Sequence, residues 1–184
     1  MTASRAVSTW VAATAVIGLA AACGQRPSPE EAALASVIRG AQTAELNLVV
    51  VPAGYQGPGS SAEGMQPVLD GIETELAKYY VGSLLASKVT WYQDGIRGMA
   101  QAGAGARVGG VRRLTLKDVQ VSGATAKVSA EVTVWFKTAQ FWYQSVTGRP
   151  EATNVIDLDL HLVKAGGTWK INEEHWQFAP GGGP

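Results

Sequence analysis

Two hydrophobic periods divide the chain. From Ser28 to about Gln101 apolar residues recur every three or four positions, and from Val111 onward they recur every second position. That order predicts helices first and strands after them. Leu34, Val37, Ile38 and Ala41 fall on one helical face. Ahead of them Ser28-Pro29-Glu30-Glu31 supplies an N-cap, a proline at the first helical position and the carboxylate of a capping box. Residues 46–51 are rich in β-formers and predict a strand or extended segment, and residues 52–61, rich in Gly, Pro and Ser, predict a flexible loop. The strongest helical pattern covers residues 63–88, with Met65, Leu69, Ile72, Leu76, Tyr80 and Leu84 on one stripe. Val89-Thr90-Trp91-Tyr92 interrupts it, and a second short helix is expected over 93–101, with Ile96 and Met99 inward.

In the second half the alternation has one slip. Leu114-Thr115-Leu116 and Val119-Gln120-Val121 are out of phase by one residue, as a β-bulge at Lys117-Asp118 would make them. After a turn at Ser122-Gly123, Ala126, Val128, Ala130, Val132, Val134 and Phe136 alternate with Lys127, Ser129, Glu131, Thr133 and Trp135. Leu158, Leu160 and Leu162 alternate with Asp157, Asp159 and His161 in the next strand. Ala165-Gly166-Gly167 forms a hairpin, and a last strand runs from Trp169 and Ile171 to Trp176 and Phe178. Helices and strands segregated in this way indicate an α+β fold, with a long N-terminal helix packed across a curved, cone-like antiparallel sheet. The Gly/Pro-rich residues 179–184 are expected to be a disordered tail.

The start of the chain has a different character. Arg5 gives a positive start, Ala6 to Ala22 carries no charge, and small residues precede Cys23, the single cysteine. A secretory signal has this order. Leu19-Ala20-Ala21-Ala22-Cys23 resembles the signal of bacterial lipoproteins, although Ala20 stands where that family usually has Leu. The resemblance implies cleavage before Cys23, diacylglycerol on its thiol, and an anchor on the outer side of the cytoplasmic membrane. An uncleaved span and a plain cleaved signal are the alternatives. The uncharged run is somewhat short of the ~20 residues that span hydrocarbon comfortably. The resulting division is a signal over 1–22, a lipidated N-terminus with short helix and tether over 23–62, a cone-like domain over 63–178 and the tail.

The domain resembles the nuclear-transport-factor-two-like superfamily, in which a curved sheet wraps a long helix. The residues that carry the resemblance are the helix ending near Tyr79-Tyr80, the strand pair around Val119 to Gly123 and Ala126 to Trp135, and the closing Gly166-Gly167-Thr168-Trp169-Lys170-Ile171. In that superfamily the last hairpin often reads Gly-x-Trp-Lys-Ile, with the Trp packed on the core. The superfamily includes enzymes and non-catalytic domains, so the resemblance implies a fold and leaves the activity open.

Composition narrows the function by exclusion. Formal charge is zero over the whole chain, and without the signal there are 14 basic and 15 acidic residues. With no clustered positive face, nucleic acid is not an expected partner. One cysteine excludes an intramolecular disulfide and a multi-cysteine zinc site. No Walker loop, dinucleotide fingerprint or Gly-x-Ser-x-Gly elbow occurs, so no cofactor and no catalytic residue is assigned. Asp157, Asp159 and His161 share one strand face, as do Glu173 and His175, and an outward solvated face accounts for them without a metal. Trp135, Phe141, Trp142 and Tyr143 either close one end of the sheet or form a surface for a partner. The sequence therefore predicts a membrane-anchored extracytoplasmic lipoprotein. Its domain is expected to bind a protein, peptide or apolar small ligand without catalysis. The alternative is a small isomerase- or hydrolase-like enzyme with a pocket between helix and sheet.

Overall fold

The computed structural model describes residues 27–48, 65–101, 107–138 and 151–183. Cys23, Phe141, Trp142, Tyr143 and the loop expected at 52–61 lie outside them. The described chain forms three helices, α1 (Pro29–Asn47), α2 (Gln66–Leu76) and α3 (Gly82–Gln101), followed by four strands, β1 (Arg107–Ser122), β2 (Thr125–Thr138), β3 (Ala152–Ala165) and β4 (Thr168–Phe178). The strands make an antiparallel meander in the order β1-β2-β3-β4. This is the expected α+β arrangement, with all three helices on the apolar face of the sheet.

Local chemistry sets the element ends. Ser28 Oγ accepts from Glu31 N at 3.1 Å while Ser28 N donates to Glu31 Oε2 at 2.7 Å, which is the predicted capping box. The helix then runs through Leu46 and Asn47, where β propensity predicts a strand. Burial of Leu46 beside β1 outweighs that propensity. Asn47 fixes the same junction: its side chain donates to Gly109 O at 2.8 Å and accepts from Gly109 N at 3.2 Å. With Leu34, Ile38 and Ala41 fully buried, α1 belongs to the core of the domain and not to a tether.

The helix expected over 63–88 divides in two. After Leu76 the chain turns, and Tyr80 forms a parallel bridge with Ile171 of β4: Ile171 N donates to Tyr79 O at 2.8 Å and Val81 N to Ile171 O at 3.0 Å. Gly82, at φ +68°, then starts α3 from a left-handed conformation. Val89 to Tyr92 continue α3 without interruption. The apolar stripe nevertheless holds: Met65, Leu69, Ile72, Leu76 and Tyr80 are all buried. They meet Val128, Val132, Leu158, Leu160, Leu162, Trp169 and Ile171 from the sheet in one core.

The expected bulge near Lys117 is present, between Leu116 and Asp118, and a second register shift lies between Val111 and Arg113. A third, which alternation does not reveal, falls in β4: His161 pairs with Glu173 but Leu162 with Ile171, leaving Asn172 extra. The residues after β4 differ from the expected tail. Ala179 N donates to Val155 O and Val155 N to Gly182 O, each at 2.9 Å, so the glycine-rich end follows a hydrogen-bonded path beside β3.

The close approach of α1 to β1 can be tested at Gly109. A Cβ there would stand 2.5 Å from the carbonyl oxygen of Trp135 and 3.1 Å from Leu46 Cβ. Gly109→Ala should destabilise the fold by about 1–3 kcal/mol. Gly95→Ala, in an exposed turn of α3 with open space around it, should be neutral or stabilising by up to about 1 kcal/mol. Urea unfolding of both variants measures this, and equal midpoints would contradict the contact.

Candidate functional site

Polar residues converge inside the concave face where α1, α3 and β4 meet. Glu45 follows Ile38 by two helical turns and so stands on the buried stripe of α1. Lys88 and Tyr92 stand four residues apart on α3, with Ile96 four further on, so all three share one face. Glu174 comes from β4. The extra residue Asn172 inverts the strand's phase, and Glu174 pairs with the buried Leu160 instead of facing solvent. Strict alternation from Trp169 and Ile171 would have put Glu173 inside and Glu174 out.

These groups form one network. Lys88 Nζ lies 2.5 Å from Glu45 Oε1 and 3.2 Å from Glu174 Oε2. Tyr80 donates its hydroxyl to Glu45 Oε1, and Tyr92 donates to Glu45 Oε2 at 3.0 Å. The ammonium also sits 4.7 Å from the centre of the Tyr80 ring. Glu45 therefore takes three donors. Glu174 shares that ammonium and has the Tyr80 hydroxyl beside it, while its buried Oε2 has no hydrogen bond of good geometry. The side chain of Glu174 is 4% exposed.

Titration follows from these surroundings. Burial raises the carboxyl of Glu174 above its ordinary range, the Glu45 carboxylate raises it further, and Lys88 opposes both. Burial on its own would lower the Lys88 ammonium, but Glu45 and Glu174 outweigh it and hold the group protonated above its usual value. Burial, with the same two carboxylates, pushes the Tyr80 hydroxyl well up. The cluster thus offers one carboxyl with a raised hold on its proton and no neutral amine or phenolate.

The convex face has a different chemistry. Lys117 bridges Asp157 at 2.7 Å and Glu131 at 3.2 Å, and Ser129 donates to Asp159 at 2.5 Å. His161 Nδ1 is 3.4 Å from Glu173, while His175 pairs across the ladder with Asp159. A shallow cleft of about 280 Å³ lies among Asp118, Lys127, Asp159, His161, Glu173 and His175. Among the described residues no three His, Cys, Asp or Glu side chains stand where they would hold a metal. Trp135 also faces this side, half-buried, with its indole nitrogen 3.2 Å from where a Cβ on Gly110 would be. It is the one member of the predicted aromatic set that the described residues include.

Other large apolar groups stand exposed. Trp176 and Phe178 lie on β4 beyond Glu174 and pair with Leu158 and Ile156, so they belong to the apolar face, yet they are 59% and 43% exposed. Their rings meet edge to face at 5.5 Å. Trp91 on α3 is 69% exposed. Among the described residues, nothing pairs with the outer edge of β4 beyond the Tyr80–Ile171 bridge. A groove of about 720 Å³ lies elsewhere, between α1 and α2, with Arg39, Gly40, Asn47, Gly71, Glu75 and Tyr79 in its walls.

No known family model matches the chain, and no curated protein matches it by sequence. Solved structures do resemble it. The intermembrane-space region of the chloroplast protein ARC6 aligns with a TM-score of 0.51 at 13% identity, covering 84% of this chain and 100% of that one. CagV of Helicobacter pylori, a VirB8 homolog, aligns at 0.42 and 11% identity, covering 79% of this chain and 99% of that one. A protein of the NTF2-like family from Streptomyces avermitilis aligns at 0.37 and 13% identity, covering 79% and 98%. The likeness to the first is one of fold.

Removing the ammonium tests the network. In Lys88→Met two buried carboxylates lose the cation they share, which should cost about 3–5 kcal/mol at neutral pH. Lys88 opposes the rise of the Glu174 carboxyl, so without it that carboxyl is raised further, and its contribution to stability is present in acid and lost as pH rises through its folded value. The deficit against wild type should therefore shrink at pH 5. Urea unfolding at the two pH values measures it, and a deficit under about 1 kcal/mol at pH 7 would show that Lys88 is not holding the carboxylates.

Proposed function

We propose that the mature chain is a lipid-anchored extracytoplasmic binding module. Acyl chains on Cys23 hold it at the outer side of the cytoplasmic membrane, and its domain binds a protein, peptide or apolar small ligand without catalysis. The anchor rests on the signal-like order of residues 1–22 and on the single cysteine at their end. No helix among the described residues is long and apolar enough to cross a membrane. Several acyl chains on one residue give stable attachment, where one chain gives only marginal binding.

The observation that carries the binding role is the exposure of Trp176 and Phe178 on a face whose other members are buried. Aromatic side chains at the margin of a hydrophobic core are strong anchors for a partner. They stand on an edge strand, whose free backbone groups can take up an extended segment. That combination favours a polypeptide over a small molecule. A second reading, an acid–base enzyme of isomerase or hydrolase type, draws on the raised carboxyl of Glu174. The linings of the two clefts described above weigh against that reading, because neither includes Glu45, Lys88 or Glu174.

Metabolic labelling with a fatty acid tests the anchor. Wild type should take up label and Cys23→Ser should not, and equal labelling of both would end the lipoprotein reading. For the binding surface, peptides selected from a displayed library against the full chain should lose at least about tenfold in affinity with Trp176→Ser/Phe178→Ser, the scale of one lost aromatic anchor. Unchanged affinity would move the site away from β4.

A further inference from the structure

The network at Lys88 has two carboxylates and one ammonium, and its donors are unevenly shared. Glu45 accepts from Tyr80, Lys88 and Tyr92. Glu174 Oε2 is buried 3.2 Å from the same ammonium without a hydrogen bond of good geometry, and the Tyr80 hydroxyl lies beside its carboxyl. The groups around it come from every packed element: Glu45 of α1, Tyr80 of the bridge segment, and Lys88 and Tyr92 of α3. Across the ladder β3 presents only Leu160. Glu173, His175 and His161 lie on the other side of the sheet. With both carboxyls ionised the enclosed charge is −1, and with a proton on Glu174 it is zero. A second buried acceptor, Asn172 Oδ1, also lacks a donor. A buried carboxylate in this position is better satisfied by a proton than by half a share of one lysine.

We propose that Glu174 is a proton-operated latch: with its proton bound α3 stays seated on β4, and with the proton released to solvent the two negative charges flanking Lys88 loosen that seat. The latch has a direct path to the exposed aromatic end of the sheet. Trp176 lies two residues beyond Glu174 on the same face of β4. Trp91 lies three residues beyond Lys88 on α3, and the contacts of the two segments advance in the same sense, from Tyr80 at Ile171 to Lys88 at Glu174. Three helical residues advance ~4.5 Å and two strand residues ~6.6 Å, so both Trp positions lie on the same side of the latch. A change in how α3 sits on β4 therefore changes the spacing of these exposed rings.

The sign of the effect is fixed by linkage. A carboxyl raised in the folded state stabilises that state in acid, and the contribution is lost as pH rises through the folded value. The same holds for the local seating of α3, because opening returns Glu174 to water. The test is amide hydrogen exchange of the full chain in detergent micelles from pH 4 to 9, with rates in residues 84–96 divided by their intrinsic values. In wild type, protection of α3 should fall by up to about tenfold per pH unit between the ordinary carboxyl value and that of Glu174 in the fold, the slope for one proton. Glu174→Gln, which mimics the protonated form, should be protected and flat across that range. Glu45→Gln, which removes the neighbouring charge, should move the fall to lower pH. Flat protection in wild type, or the same fall in Glu174→Gln, would overturn the latch. Should Glu174→Gln fail to fold, the carboxyl carbon resonance of Glu174 decides: titration at the ordinary carboxyl value in both wild type and Glu45→Gln would equally overturn it.

Discussion

The position of one ammonium group constrains most of the molecule. Lys88 Nζ must lie between Glu45 of α1 and Glu174 of β4 while resting over the Tyr80 ring. Meeting all three conditions sets how α1, α3 and β4 lie against one another and how α3 is rotated. A buried carboxylate deprived of its cation costs several kcal/mol, so none of these elements can slip independently. The apolar core supplies more of the stabilisation but is tolerant, since side chains of similar volume replace one another at small cost. The charged network is intolerant, because its members must meet within hydrogen-bonding distance.

The sheet reaches this arrangement through its irregularities. A regular β4 would continue the inward series Trp169, Ile171 with Glu173 and His175, opposite Leu160 and Leu158, and would turn Trp176 to the other face. The extra residue Asn172 prevents this, and it also delivers Trp176 and Phe178 to the apolar face. The single bulge therefore creates both the buried polar centre and the exposed aromatic end. Bulges are suited to this work because they re-aim every side chain that follows them.

That dependence explains how much could be read from the chain before its structure. The capping box at Ser28, the stripe from Met65 to Tyr80, the slip at Lys117 and the turns at Gly123 and Gly166 are all local signals, and each appears where the sequence indicates. The break at residues 77–81 is not local. It is stabilised by backbone bonds to Ile171, some ninety residues away, while the apolar spacing continues unbroken across it. The reach of α1 through Asn47 likewise depends on Gly109. The polar cluster stayed hidden for a related reason. An inward list built from apolar residues passes over Glu45 and Lys88, although both fall on helical stripes with Ile38 and with Ile96. Spacing alone would have found them, had charge not been taken as a sign of exposure. Glu174 had no such signal, since only the pairing of His161 with Glu173 and Leu162 with Ile171 reveals the inverted phase.

A final consideration is what the network adds that an apolar core would not. Taking two carboxylates and an ammonium out of water costs more than their attraction readily returns, and well-packed apolar side chains of similar volume are often neutral or stabilising replacements. Stability by itself is therefore a weak reason for these residues. Their asymmetry is more informative: three donors on Glu45, and on Glu174 a buried oxygen 3.2 Å from the shared ammonium with no hydrogen bond of good geometry. The network holds one carboxyl whose proton is retained above the ordinary carboxyl range, on an edge strand that carries exposed tryptophan. Such an arrangement gives up some folding free energy and makes the fit of a helix on a sheet dependent on a proton.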